Sequence, residues 1–148
     1  MNLEAQIQKD LMEAMKAKDE ARLRTVRAIK GAILLHKTSG EATALDANGE
    51  IKLLQKLVKT RRDSLAIYEQ NNREDLAVVE RQELEILETY LPKQLSESEI
   101  EAIVQAVIVQ IGASSMKDMG KVMGAANKEV AGRAEGAAVS SVVKRLLS

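Results

Sequence analysis

Apolar residues recur at spacings of three and four along almost the whole of this 148-residue chain. The first two series run through Leu3, Ile7, Leu11 and Met15, and through Leu23, Val26, Ile29 and Ile33. This spacing puts side chains on one face of an α-helix, whereas a half-buried strand would need strict alternation. The only aromatic residues are two tyrosines, so the helices must pack mainly through aliphatic side chains. The pattern therefore predicts an all-α fold.

The single proline, Pro92, divides the predicted helices into two groups. Proline disfavours helical geometry in the residue before it, and Ser96 then stands three residues before Glu99, which is the spacing of a capping box. A new structural unit is expected to start at this point. We predict a four-helix N-terminal domain over residues 1–92 and a three-helix C-terminal domain over residues 93–148.

Several residues predict where individual helices begin and end. Asp19 is placed to cap the second helix, and Gly112 is placed to end the first helix after Pro92. Ser115 with Asp118 repeats the capping-box spacing and predicts the start of the next helix. Residues 38–49 lose the apolar periodicity and are expected to form the longest loop of the first half.

Composition excludes several classes of function. The formal net charge is zero, so no global field attracts the protein to nucleic acid or to an anionic membrane, and any basic site must be local. There is no cysteine, His36 is the only histidine, and no segment approaches the roughly 18 apolar residues of a membrane span. Residues 1–10 have no apolar signal core. The sequence therefore predicts no metal, no cofactor and no membrane partner, and a cytoplasmic location is the default expectation.

The neutral total conceals a segregation of charge. Residues 52–62 carry five basic side chains and no acid, whereas residues 69–101 carry ten acids and three basic residues. The simplest interpretation is that a basic third helix packs beside an acidic fourth helix. Arg61 and Glu83 both fall on the apolar stripes of these helices, and we predict that they form a structural ion pair in the interface. Such a pair would fix the register of the two helices more than it would add stability.

The helix that opens near Ser115 has an unusual polar face. At about 100° per residue, one side of this helix collects three lysines and two glycines. The members of this basic face are Lys117, Gly120, Lys121, Gly124 and Lys128. A glycine inside a helix costs about 1 kcal/mol relative to alanine, and here the cost occurs twice on a face that should be solvated.

Two explanations of the glycines remain open at this point. A phosphate backbone could approach the helix where side chains are missing, with the lysines supplying point charges. Alternatively, another helix crosses there or the first half of the protein docks there. Arg133, in the turn before the last helix, would extend the same surface. No grouping of His, Ser or Glu residues has the spacing of a catalytic site.

Two sequence runs resemble the YqeY family of small bacterial cytosolic proteins. They are EILETYLPKQLSE at residues 85–97 and GASSMKDMGKVMG at residues 112–124. The resemblance extends essentially from end to end of the chain. The C-terminal third also resembles the tail domain of the B subunit of the glutamine-dependent aspartyl/glutamyl-tRNA amidotransferase, through GKVMG at 120–124, GRAEG at 132–136 and VVKRLL at 142–147.

The resemblance implies an all-helical fold of four helices followed by three. It also implies contact with tRNA, because the amidotransferase tail contacts tRNA while other domains of that enzyme carry out the chemistry. We therefore expect a tRNA-binding accessory protein, without catalysis of its own, that uses Lys117, Lys121, Lys128 and Arg133, with Gly120 and Gly124 permitting close approach. One alternative is a protein–protein adaptor that binds no RNA. Another is participation in a carbon–nitrogen ligase activity with glutamine as the amido donor.

Overall fold

The computed structural model describes residues 2–39 and 45–148, and within them it contains seven α-helices, one 3₁₀ turn and no strand. The predicted all-α fold is confirmed. The helices are α1 (Leu3–Ala17), α2 (Glu20–Thr38), α3 (Ala47–Gln70), α4 (Glu74–Glu88), α5 (Glu97–Ile111), α6 (Met119–Val130) and α7 (Gly136–Leu147). The chain divides into two compact units, Met1–Leu91 with four helices and Pro92–Ser148 with three.

The N-terminal unit packs α1 against α2 and α3 against α4, and α2 also contacts α4. Its largest fully buried side chains include Ile7, Ile29, Leu54 and Leu87. Burial of such aliphatic groups supplies most of the driving force for folding, because each removes a large apolar surface from water. The core is therefore aliphatic, as the composition requires.

The buried face of α1 differs from the predicted stripe. The helix buries Leu3, Ile7, Asp10 and Ala14, whereas Met15 is 54% exposed. The face is rotated because Asp10 finds polar partners inside the unit, so a carboxylate occupies a position that periodicity alone assigns to an apolar residue.

The C-terminal unit has its own core, formed by α5, α6 and α7. Val104, Val122, Val139 and Val143 are each completely buried there. No residue of this core belongs to the core of the N-terminal unit among the described residues. Each unit thus has a separate hydrophobic core.

Most of the predicted helix ends are confirmed. The Asp19 side chain accepts a hydrogen bond from the Arg22 backbone N–H and caps α2. Ser96 and Glu99 form a complete capping box at the start of α5. Gly112 ends α5 with φ of 75°, a left-handed conformation that glycine adopts without the penalty of a Cβ.

The second predicted capping box is wrong. The Ser115 hydroxyl accepts from the backbone N–H of Lys117 instead of Asp118, and residues Met116–Asp118 form a 3₁₀ turn before α6. The carboxylate of Asp118 accepts from the backbone N–H of Ser114, at 3.0 Å, so it reaches one residue further back than a capping box requires. In the 3₁₀ turn the backbone is wound more tightly than in an α-helix, so the Ser115 hydroxyl meets the N–H two residues ahead instead of three.

Both ends of the loop expected at residues 38–49 are helical. Thr38 still belongs to α2, and α3 already begins at Ala47, because Asp46 caps it by accepting from the Gly49 backbone N–H at 2.7 Å. Residues 40–44 lie outside the described residues.

No single described helix has both the length and the hydropathy of a membrane span. Helix α5 and the segment Met116–Val130 meet those criteria only as a pair, and a bend of 96° separates them.

Candidate functional site

The basic face lies on the outside of α6 and the turn before it. Lys117 is in the 3₁₀ turn, and Gly120, Lys121, Gly124 and Lys128 follow on α6. All five residues are exposed. The opposite side of α6 is buried through Val122, Ala126 and Val130, and this burial fixes which face of the helix is presented to solvent.

The three lysines of the basic face keep their charges available. Among residues 2–39 and 45–148, no carboxylate forms an ion pair with Lys117, Lys121 or Lys128. Two acids adjoin these lysines in sequence: Asp118 is engaged with the Ser114 backbone, and Glu129 forms no ion pair with a described residue. On the helical part of the face, Lys121 and Lys128 are seven residues apart, which corresponds to about 10 Å along the axis. The arrangement is therefore a row of cations.

The two glycines open gaps in this row. Apart from its chain neighbours and the backbone of its own helix, a Cβ atom built on Gly120 or on Gly124 meets no heavy atom of the described residues within 4 Å. Neither position is therefore required to be glycine by packing, and no helix of the C-terminal unit crosses α6 there. Both glycines nevertheless carry the free-energy cost of glycine within a helix.

Arg133 lies beyond the C-terminal end of α6 instead of on the basic face. Its Nε donates to the Lys93 carbonyl at 3.3 Å, and its own carbonyl accepts from the Leu95 backbone N–H at 2.7 Å. The side chain remains exposed. The structure thus assembles five of the six candidate residues on one face and anchors the sixth against the segment that precedes α5.

Arg61 and Glu83 lie together between α3 and α4, with Arg61 Nε 3.0 Å from Glu83 Oε2. The N–H of that nitrogen finds no hydrogen-bond acceptor within the described residues, so the contact is an ion pair without a hydrogen bond. Arg24 Nε is 3.5 Å from the other Glu83 oxygen, and Glu80 Oε2 is 3.9 Å from Arg61 Nη1. Burial raises the pKa of Glu80, and the neighbouring Glu83 charge also raises it, whereas Arg61 lowers it.

A second polar cluster, around Asp10 and Tyr90, is absent from the sequence-based candidates. The Tyr90 hydroxyl donates to Asp10 Oδ2 at 2.5 Å, and Gln6 Nε2 lies 3.2 Å from both carboxylate oxygens. Arg22 Nη2 is 3.5 Å from Oδ1. Burial raises the pKa of Tyr90, and the hydrogen bond to Asp10 raises it further. The one available signal was the position of Asp10, three residues after Ile7 on the stripe of α1.

This cluster lines an open cavity of about 580 Å³. The oxygens of Asp10 are already occupied by their partners, and Glu50 accepts from the Leu3 backbone N–H at 3.3 Å. Within the described part of the chain, no group of three His, Asp or Glu side chains is arranged to hold a metal ion. The cluster joins α1 to the segment that follows α4.

Comparison with known proteins places the chain among relatives of one family. The family described as Yqey-like protein matches residues 4–147. The protein "Altered inheritance of mitochondria protein 41, mitochondrial" of Vanderwaltozyma polyspora is 32% identical over 120 residues, which are 76% of this chain and 64% of that protein. Its namesake in Lachancea thermotolerans is 34% identical over 75% of this chain and 60% of that protein. In Pyrenophora tritici-repentis the protein of the same name is 29% identical over 86% of this chain and 71% of its own length.

The chain therefore spans somewhat less than two thirds of the length of the first two of these relatives. Their names also correct one expectation. The relatives are named as mitochondrial proteins and none of the three is bacterial, so the expectation of a cytoplasmic location is wrong. The absence of cysteine and of a membrane span does not distinguish one reducing aqueous compartment from another.

Proposed function

The chain belongs to the Yqey-like protein family, and from this premise we propose that it is an accessory protein that binds folded tRNA through the basic face of its C-terminal unit. Lys117, Lys121 and Lys128 would contact the phosphate backbone. Gly120 and Gly124 would let that backbone come close to α6. Arg133 would add a contact beyond the end of the helix.

One observation carries this proposal: the basic face combines lysines with two side-chain gaps, and no described residue of the C-terminal unit fills those gaps. The lysines have no described carboxylate partner, and the space above both glycines is open. A solvated helical face with no binding role would be more stable with alanine at both positions. A partner whose charged surface must lie against the helix explains the glycines and the lysines together.

The resemblance of residues 120–147 to the amidotransferase tail domain supports RNA as the partner. The composition favours folded tRNA over single-stranded RNA, because the chain has only two aromatic side chains on which unpaired bases could stack. Recognition would then rest on backbone and shape. The proposal assigns no catalytic step to this chain, and any carbon–nitrogen ligase chemistry with glutamine would be carried out by a partner enzyme.

The test is fluorescence anisotropy of labelled bulk tRNA against the full chain over a series of salt concentrations. The parent protein is compared with a triple variant, Lys117→Ala, Lys121→Ala and Lys128→Ala. We expect the affinity of the parent to fall as salt rises. Each phosphate that the variant no longer neutralises should reduce the magnitude of the log–log slope by about 0.7 to 0.9.

The matched control removes the same charge from the other unit. Lys9, Lys16 and Lys30 are exposed on α1 and α2, so the variant Lys9→Ala, Lys16→Ala and Lys30→Ala changes the net charge equally. This control should retain the slope of the parent. If no binding occurs near physiological salt, or if both triple variants weaken binding equally, the basic face is not a tRNA site.

A further inference from the structure

The N-terminal unit contains an apolar groove that the proposed tRNA site does not use. Helices α2 and α3 contact each other much less than each contacts α4, and a cavity of about 520 Å³ lies between them. It is lined by Ala32, Leu35, His36, Ser39, Leu45, Gly49, Lys52, Leu53, Lys56, Leu57 and Thr60.

The floor of this groove is aliphatic. Leu35, which is 71% exposed, lines the groove together with the half-buried Leu53 and Leu57. A single exposed leucine is ordinary on a protein surface. Here the leucine is continuous with other apolar side chains, and such continuity is typical of a surface that is covered by a partner.

The charged residues along the groove are of one sign. Lys52 and Lys56 line it, both are exposed, and no aspartate or glutamate is among its described lining residues. Neither lysine pairs with a carboxylate within the described ranges, whereas the next lysine along α3, Lys59, pairs with Asp63 at 3.0 Å. The surface therefore combines an apolar floor with an unneutralised basic rim.

We propose that this groove binds an acidic amphipathic helix of a protein partner. The lining positions on α3 run from Gly49 to Thr60, which is about 17 Å or three helical turns. A partner helix would place apolar anchors at spacings of three, four and seven residues on the leucines. Acidic side chains beside those anchors would meet Lys52 and Lys56. An RNA backbone would gain nothing from the leucine floor, so a protein helix fits these observations better.

The test uses two synthetic peptides of about 18 residues, long enough to form helix in solution. Both carry the same stripe of leucines, flanked by glutamates in one peptide and by lysines in the other. Each is titrated into the ¹⁵N-labelled full chain and followed by NMR. We expect the acidic peptide to shift amides around Leu35, Leu53 and Lys56, and to bind roughly tenfold more tightly than the basic peptide.

Two pairs of matched variants locate the binding. Leu35→Ser should weaken the acidic peptide, whereas Leu34→Ser, a change of a comparably exposed neighbour outside the groove, should leave its affinity unchanged. The double variant Lys52→Glu and Lys56→Glu should reverse the preference between the peptides, and Lys30→Glu should not. Circular dichroism confirms that each variant is folded.

The outcomes are decisive in both directions. Equal affinity for the two peptides, absence of binding, or shifts confined to amides outside the groove would overturn the proposal. Displacement of the acidic peptide by tRNA from the groove amides would also overturn it, because the groove would then be an RNA surface.

Discussion

The side chain of Glu80 lies in surroundings that raise its pKa. Its Oε2 atom is buried and accepts no hydrogen bond among the described residues, and the nearest Arg61 nitrogen is 3.9 Å away. Burial and the adjacent Glu83 raise the pKa of Glu80 above its ordinary value of 4.5. The folded state therefore binds this proton more tightly than the unfolded state. The resulting stabilisation is present below the unfolded pKa and is lost as the pH rises through the folded pKa.

The variant Glu80→Gln should remove this pH dependence. We expect its free energy of unfolding to match or exceed that of the parent at pH near 7, by less than about 1 kcal/mol because the site is partly solvated. The advantage should shrink as the pH falls below the ordinary glutamate range. Urea unfolding at several pH values measures this, with exposed Glu85→Gln on the same helix as control. A parent that gains stability relative to the variant as pH rises would contradict the argument.

Predictability from sequence differs sharply between the two polar clusters. Arg61 and Glu83 each interrupt an apolar stripe, and neighbouring helices bring such interruptions together, so their contact was predictable. The contact between Asp10 and Tyr90 joins residues that are 80 positions apart. No local pattern encodes that contact, because it depends on how α1 packs against the segment that follows α4.

Helix α6 contains two residues, Gly120 and Gly124, that lower its stability as a helix. Its buried side is a regular apolar face, but its exposed side carries Gly120 and Gly124. Added methyl groups would meet open space in this structure, so the helix would gain stability without any steric cost. The conflict is resolved if an external partner needs the space.

Replacing both glycines tests this conflict directly. Gly124→Ala should raise the free energy of unfolding by about 1 kcal/mol, and Gly120→Ala, in the first turn of α6, should raise it by less. Together the two changes should weaken tRNA binding. Gly31→Ala on α2 is the matched control, since a Cβ there also meets no neighbouring heavy atom of the described residues within 4 Å. It should stabilise the protein without affecting binding. Thermal unfolding and tRNA anisotropy provide the two measurements, and alanines that stabilise α6 while leaving binding intact would count against the close-approach argument.

The helix ends show which local features can be predicted. The capping box of Ser96 and Glu99 follows from spacing alone, because both hydrogen bonds form within one turn. The same spacing at Ser115 and Asp118 produces a 3₁₀ turn instead. At that position, the Asp118 carboxylate accepts from the backbone N–H of Ser114 instead of that of Ser115. Which of these two donors it meets depends on the path by which the chain leaves α5.

At the scale of the whole molecule, the two separate hydrophobic cores imply that each unit has its own free energy of unfolding. The buried residues of α1 to α4 and those of α5 to α7 form distinct clusters. A cavity created in one core weakens the packing of that core alone. Because locally cooperative units can open with their own free energies, the two units need not lose their structure together.

The variant Val143→Ala should therefore act on only one unit. Val143 is completely buried in the C-terminal core, and its truncation should cost about 2 kcal/mol. Native-state hydrogen exchange should show weaker protection of amides in α5 to α7, with the amides of α1 to α4 unchanged. Val26→Ala, at a completely buried position in the other core, should give the opposite distribution. Equal loss of protection in both units after either change would mean that they unfold as one cooperative structure, because damage to one core would then be felt fully in the other.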